Sequence, residues 1–204
     1  EIIEAAWIEL KALAPLTLGE GFEQRYRPSK PISLAALATH HILDEELLDC
    51  PPSTSFKLPA GLQYLIGHNV DFDWAVAGSP DVRRICTLSL ARAVWPTLEA
   101  HNQSALLYYL DRKNARERLK NAHSAGADIK ICATILEHIC LKLEIDSLEA
   151  LWQKSEESRI PTHMPFGKHK GMPIAEVPKD YVRWLLNQPD IDPFLRRALQ
   201  AAPR

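Results

Sequence analysis

Two short apolar runs, each leading directly into a helix, constrain the fold of this chain more than any other feature. Tyr64-Leu-Ile-Gly67 reads as a buried strand. It passes through His68-Asn69 into an amphipathic stretch from Val70 to about Ala77, with Asn69 placed to cap the helix. Arg84-Ile-Cys-Thr87 repeats the pattern, running into Leu88 to Val94 before Trp95-Pro96 closes the segment. A strand followed at once by a helix, twice in succession, brings strands back in the same direction. The pattern therefore predicts an α/β domain with at least some parallel pairing.

The flanking segments extend this reading. Residues 1–10 form a strand rich in Ile and Trp. Lys11 to Gly21, with Pro15, Gly19 and Gly21, reads as a hairpin connection, and Phe22 to Arg27 as the returning strand. Ser33 can cap a short helix marked by Leu34, Leu37, Ala38 and Ile42, which carries His40 and His41 near its end. Ser104 to Leu110 gives a further helix. After Asp128, the positions Ile129, Cys132, Ala133, Leu136, Ile139, Cys140 and Leu143 mark one face of a long one. Leu148, Leu151 and Trp152 predict another helix before the polar stretch 154–159. Residues 1–152 are thus expected to form the main domain, 153–162 a linker and 163–204 a small α-rich module.

Hydrophobic residues at 46% and charged residues at 25% are ordinary for a soluble domain, and no apolar run is long enough to span a bilayer. The opening residues lack the basic flank of a signal peptide. Cys50, Cys86, Cys132 and Cys140 show no CxxC spacing, which favours core thiols in a reducing compartment, the cytoplasm, over a zinc site. Charge is uneven: residues 1–159 hold 17 basic and 22 acidic side chains, whereas 160–204 hold 7 and 4. A basic tail module on an acidic body points to a polyanionic partner.

The candidate chemistry lies in Asn121-Ala-His-Ser-Ala-Gly-Ala-Asp128. On one continuous helix, His123 and Asp128 would diverge by about 140°. They converge only if His123 precedes the helix and Asp128 sits in its first turn. That arrangement suits a general base beside a metal-binding carboxylate. It equally suits an exposed loop His and an Asp stabilised by the helix dipole. His68-Asn-Val-Asp-Phe-Asp73 supplies Asp71 and Asp73 at a strand–helix junction, where α/β folds usually place their sites. Asp73 and Asp128, on separate helices, begin to form a divalent-cation site, because Mg²⁺ takes one or two protein carboxylates when phosphate oxygens complete its shell. Arg112, Lys113, Arg116, Arg118 and Lys120 lie just ahead of His123, either as a solvated face or to steer phosphates. Phe166-Gly-Lys-His-Lys-Gly171 is a basic turn open to the same two readings.

The order HNxxFD, CTxxLARxxWP, NxxALxxxL and HxxxxD, with Ala38-Thr-His-His-Ile42 upstream, resembles the His-bearing branch of the DEDD superfamily of 3′–5′ exonucleases. The resemblance covers nearly the whole chain. It implies a ribonuclease-H-like fold, a mixed five-stranded sheet flanked by helices. It also implies two Mg²⁺ or Mn²⁺ ions held by four acidic ligands, and DNA 3′ ends, single- or double-stranded, as substrate. RNA stays open, since no residue visibly reads a 2′-hydroxyl. Matched residue by residue, Asp73 and Asp128 are metal ligands and His123 is the base that activates water. His40 lies near the 3′-terminal nucleotide, and Asp71 is left as a helix-capping residue.

One departure matters. The family's first motif, a strand carrying Asp-x-Glu, is not in this sequence, and Glu4 matches a residue that is not a ligand. Without those two carboxylates the chain is expected to be inactive, and active once they are restored. A non-catalytic nucleic-acid-binding relative is the alternative expectation.

Overall fold

The structure is a computed structural model and describes residues 1–121 and 124–202. The first two strands, β1 (Glu4–Leu13) and β2 (Leu16–Arg25), pair antiparallel from Glu4↔Arg25 to Leu13↔Leu16. Only Ala14-Pro15 connects them, so the hairpin is much tighter than the Lys11–Gly21 connection expected from the glycines. The glycines fall inside the ladder, which breaks register between Ile8 and Leu10 and again between Leu10 and Ala12. Gly19 lies inside β2, where a Cβ would collide with the side chains of Glu9 and Lys11. It clears space across the bulged ladder rather than turning the chain.

Ser33 caps α1 (Leu34–His40) by accepting from the Ala36 N–H at 3.3 Å. β3 (Tyr64–Gly67) leads into α2 (Val70–Val76), and β4 (Arg83–Cys86) into α3 (Thr87–Val94). β3 and β4 pair in parallel, Tyr64↔Arg83 through Gly67↔Cys86. Asn69 occupies the cap position of α2 in the left-handed conformation (φ +71°), and its side chain makes no capping hydrogen bond. It supplies a backbone bend that Asn tolerates better than most residues. Among the described residues, the strands form these two separate two-stranded ladders.

α4 (Gln103–Leu110), α5 (Arg112–Arg118), α6 (Ala125–Leu143) and α7 (Leu148–Ser158) complete the first unit. Both ladders line one core. Leu13 from the hairpin and Ile85 from β4 are buried with Leu90 of α3, Leu107 of α4, and Ile131, Ile135 and Ile139 of α6. The buried Ser155 accepts a hydrogen bond from the Cys86 N–H at 2.8 Å, tying α7 to the end of β4. The polar stretch read as a linker, 153–162, is therefore helical as far as Ser158. The chain divides into Glu1–Ser155 and Glu156–Arg204.

The second unit contains α8 (Lys179–Leu186) and α9 (Pro193–Ala201), which bury Val182, Leu185, Leu195 and Leu199 with Met164 and Ile174. Asp192 caps α9 by accepting from the Leu195 N–H at 2.8 Å, with Pro193 in its first turn. No helix among the described residues is long and apolar enough to cross a membrane.

Besides the apolar packing of Leu13, a charged contact fastens the hairpin to α6. The Glu4 carboxylate accepts from the Ala125 N–H at 2.6 Å and pairs with Arg25 at 3.2 Å, and its side chain is only 9% exposed. Glu4→Ala is expected to lower unfolding free energy by about 1.5–3 kcal/mol, the usual cost of a charge-assisted bond. Urea denaturation followed by circular dichroism reads that loss.

Candidate functional site

The site begins where the parallel strands end. His68 follows β3 and Thr87 follows β4. The His68 Nε2 lies 2.8 Å from the His101 carbonyl and its Nδ1 lies 3.0 Å from Thr87 Oγ1. A carbonyl can only accept, so Nε2 carries a proton, and the Thr87 hydroxyl lies between His68 Nδ1 and the Gly67 carbonyl, 3.3 Å away. Desolvation holds the His68 pKa below the ordinary imidazole value and so favours the neutral ring. With both nitrogens engaged, His68 locks the junction of β3, β4 and the segment before α4. It is unsuited to accepting a proton from substrate or water.

Asp73 stands on α2 one turn beyond that junction. Its Oδ2 would lie 3.3 Å from a Cβ built on Gly67, so the carboxyl sits directly over the last residue of β3. A side chain at Gly67 would press into it. Asp73 keeps an exposed surface, yet the atoms packed behind its carboxyl penalise the charged form and push its pKa above the ordinary value. The negative charge of Asp128 pushes in the same direction, while a hydrogen bond to its own backbone opposes both.

Asp128 reaches this place because α6 starts there. Ser124 caps α6 by accepting from the Ala127 N–H at 3.3 Å, and Glu4 takes the Ala125 N–H. A Cβ at Gly126 would collide with the Glu23 carboxylate. The positive end of the helix thus gathers Glu4, Glu23 and Asp128, from β1, β2 and α6 itself. One turn further along α6, the Cys132 thiol lies 3.6 Å from Thr87 Oγ1. Burial, assisted by the charges of Asp73 and Asp128, pushes that thiol up to about 11, so it stays protonated at neutral pH.

The structure therefore brings together Asp73 and Asp128 of the residues singled out from sequence. His123 lies outside the described residues. His40, at the end of α1, accepts from the Ile42 N–H at 3.0 Å through Nδ1, and its Nε2 is buried with no hydrogen-bond partner among the described residues. His40 is not among the groups that shift Asp73, as Asp128 is. Asp71 is drawn to β4, where Arg84 pairs with it while lying 4.1 Å over the Trp74 ring. Two members of the basic run are tied down, Arg118 to Asp111 at 3.2 Å and Lys120 to Glu117 at 2.6 Å. Sequence reading missed Thr87, Gly67 and Cys132 as the floor of the site. For Gly67 and Thr87 the one signal was their place at the end of a strand that runs into a helix; Cys132, inside α6, had none. Among the described residues, no group of three or more His, Cys, Asp and Glu side chains is placed to hold a metal.

Comparison with known proteins bears on these positions. The chain is 30% identical over 181 residues to Exodeoxyribonuclease 10 of Escherichia coli strain K12, covering 85% of this chain and 80% of that protein. The same protein from Escherichia coli O6:H1 matches equally. A solved structure described as exonuclease X in complex with 5′ overhanging duplex DNA superposes with a TM-score of 0.61 at 24% identity. That match covers 75% of this chain and 90% of the solved one, and shows a ribonuclease-H-like fold. Residues 156–190 match a family model described as "Putative quorum-sensing-regulated virulence factor".

The raised pKa of Asp73 has a consequence for stability. A carboxyl that titrates higher when folded favours the folded state while protonated, and that contribution is lost as pH rises through its folded pKa. Asp73→Asn keeps the shape and removes the charge. It is expected to raise the melting temperature at pH 7, with the gain shrinking to nothing once pH falls below the ordinary carboxylate range. Melting curves of both proteins across that interval check the sign.

Proposed function

The chain belongs to the DEDD exonuclease family, and we propose that it supplies the two-helix half of a metal-dependent site that removes nucleotides from DNA 3′ ends. The observation that carries this reading is the Asp73–Asp128 pair. Two carboxylates from separate helices are held near enough that the charge of one raises the pKa of the other. Such repulsion is relieved by a proton or a cation.

The pair suits one Mg²⁺ or Mn²⁺ whose shell is completed by phosphate oxygens and water. It falls short of the donor set for two ions. When bound, the ions offset phosphate charge and acidify the attacking water. Asp73 and Asp128 would hold the cation. His123, just ahead of α6 in sequence, takes the proton from water, and His40 lies beside the 3′-terminal nucleotide. A strand bearing Asp-x-Glu would supply the remaining carboxylates. What supports this is that β1 and β3 each pair on one side only among the described residues, while both ladders line the same core.

DNA as substrate, single- or double-stranded, is supported by the relatives, an exodeoxyribonuclease and an exonuclease X solved with 5′ overhanging duplex DNA. The four free cysteines fit a reducing compartment, the cytoplasm. The two-carboxylate donor set also favours a second reading, a non-catalytic nucleic-acid-binding relative.

Hydrolysis of a 3′-labelled oligonucleotide in Mg²⁺ separates the two. The 204-residue chain is expected to release no nucleotide, and a version extended with an Asp-x-Glu strand to release 5′-mononucleotides. In the extended version, Asp73→Asn or Asp128→Asn should lower kcat by at least about a hundredfold, and His123→Ala by about 10²–10⁴-fold. An extended protein that stays inert yet binds the oligonucleotide supports the second reading. Turnover indifferent to Asp128 refutes the pairing.

A further inference from the structure

The second unit carries an aromatic face on which Tyr181 packs partly against the core while Trp184 stays exposed. Tyr181, in the first turn of α8, meets His169 edge-on at 4.7 Å and Trp184 at 5.3 Å with the rings tilted by 38°. Its hydroxyl would lie 2.6 Å from a Cβ at Gly167 (φ +75°), so the turn 165–171 packs closely on α8 through a glycine. The turn is closed by the Gly171 N–H donating to the Met164 carbonyl at 2.8 Å. Val182 and Leu185 point α8 into the core, whereas Trp184 is 53% exposed and Phe166, in the turn, 47% exposed.

Cations surround these rings. Lys168 and Lys170 flank His169 and are exposed, with no ion pair to either among the described residues. Arg183, beside Trp184, has a side chain 77% exposed and sits 3.8 Å from Asp180. Residues 156–204 carry 8 basic and 6 acidic side chains, against 16 and 20 in residues 1–155. Protein–protein interfaces enrich exposed aromatics but deplete lysine. Aromatic rings beside lysines suit single-stranded nucleic acid, in which every base offers a face and every linkage a charge.

We propose that Tyr181 and Trp184, flanked by Lys168, Lys170 and Arg183, form a stacking site for single-stranded DNA. A base lies on Trp184, and its neighbouring phosphates lie against the lysines. This rests on the reading that nucleic acid is the substrate.

The test is fluorescence anisotropy of the whole chain with a labelled oligothymidylate in EDTA, so that hydrolysis plays no part. Trp184→Ala should weaken binding about tenfold, within the 1–3 kcal/mol a stacked base contributes, while Trp184→Phe retains most affinity. Replacing Lys168 and Lys170 by Gln should flatten the log–log salt slope by about 1.4, for two phosphate contacts. A strand of abasic sites should bind weakly and be indifferent to Trp184. Unchanged affinity in Trp184→Ala, or an equal loss on the abasic strand, overturns the proposal and leaves the face to a protein partner. Oligonucleotide hydrolysis by the extended protein, unaffected by that result, keeps the nuclease reading apart. Conversely, loss of binding in Trp184→Ala with no hydrolysis anywhere rejects only the nuclease reading.

Discussion

The positive end of α6 is the constraint on which the first unit depends. A helix begins with amide groups that have no partner within it. Here Ser124 takes one and Glu4, 121 residues away in sequence, takes another. Because Glu4 sits on β1 and also pairs with Arg25 on β2, this contact sets the hairpin against the helix as well as satisfying an amide. The same helix end delivers Asp128, so the position of the acid follows from the capping of the helix.

A second constraint is the cost of what that placement creates. Asp73 and Asp128 repel, and burial of the Asp73 carboxyl increases the penalty. The surroundings are arranged so that the pair cannot relax easily. Gly67 allows Asp73 to lie on the end of β3, and the His68–Thr87 lock holds the two strand ends together beneath it. Folded proteins tolerate like charges held together chiefly where they serve function. The surrounding thiol and imidazole are kept neutral, which leaves the carboxylates as the groups that carry charge.

Much of the first unit was legible from periodicity. The parallel strand at Tyr64–Gly67, the helices that follow both strands and the long helix after Ser124 all announce themselves by apolar spacing, because local pattern and local structure agree there. The hairpin was less legible. Gly19 and Gly21 look like turn residues, yet the turn is at Ala14-Pro15, and the glycine at 19 sits in a bulge of β2 against the side chains of Glu9 and Lys11. The polar run 153–158 looks like a linker, yet Ser155 is buried by a hydrogen bond to a residue distant in sequence. Asp71 and Asp73 cannot be told apart by type or spacing. Arg84, on the next strand, draws one of them away.

By itself, then, the sequence determined the strand–helix pairs at 64–76 and 84–94 and the long helix, and that acids stand at the starts of α2 and α6. Those outcomes depend on spacing along the chain, which sequence records directly. Only the tertiary structure decided that Asp73 and Asp128 feel each other's charge. It also decided that Glu4 serves as a helix cap, and that His68 is fixed by Thr87 and His101. Each of those depends on a contact between residues far apart in the chain. The energy of such a contact comes from burial and charge in three dimensions, and periodicity carries no trace of it.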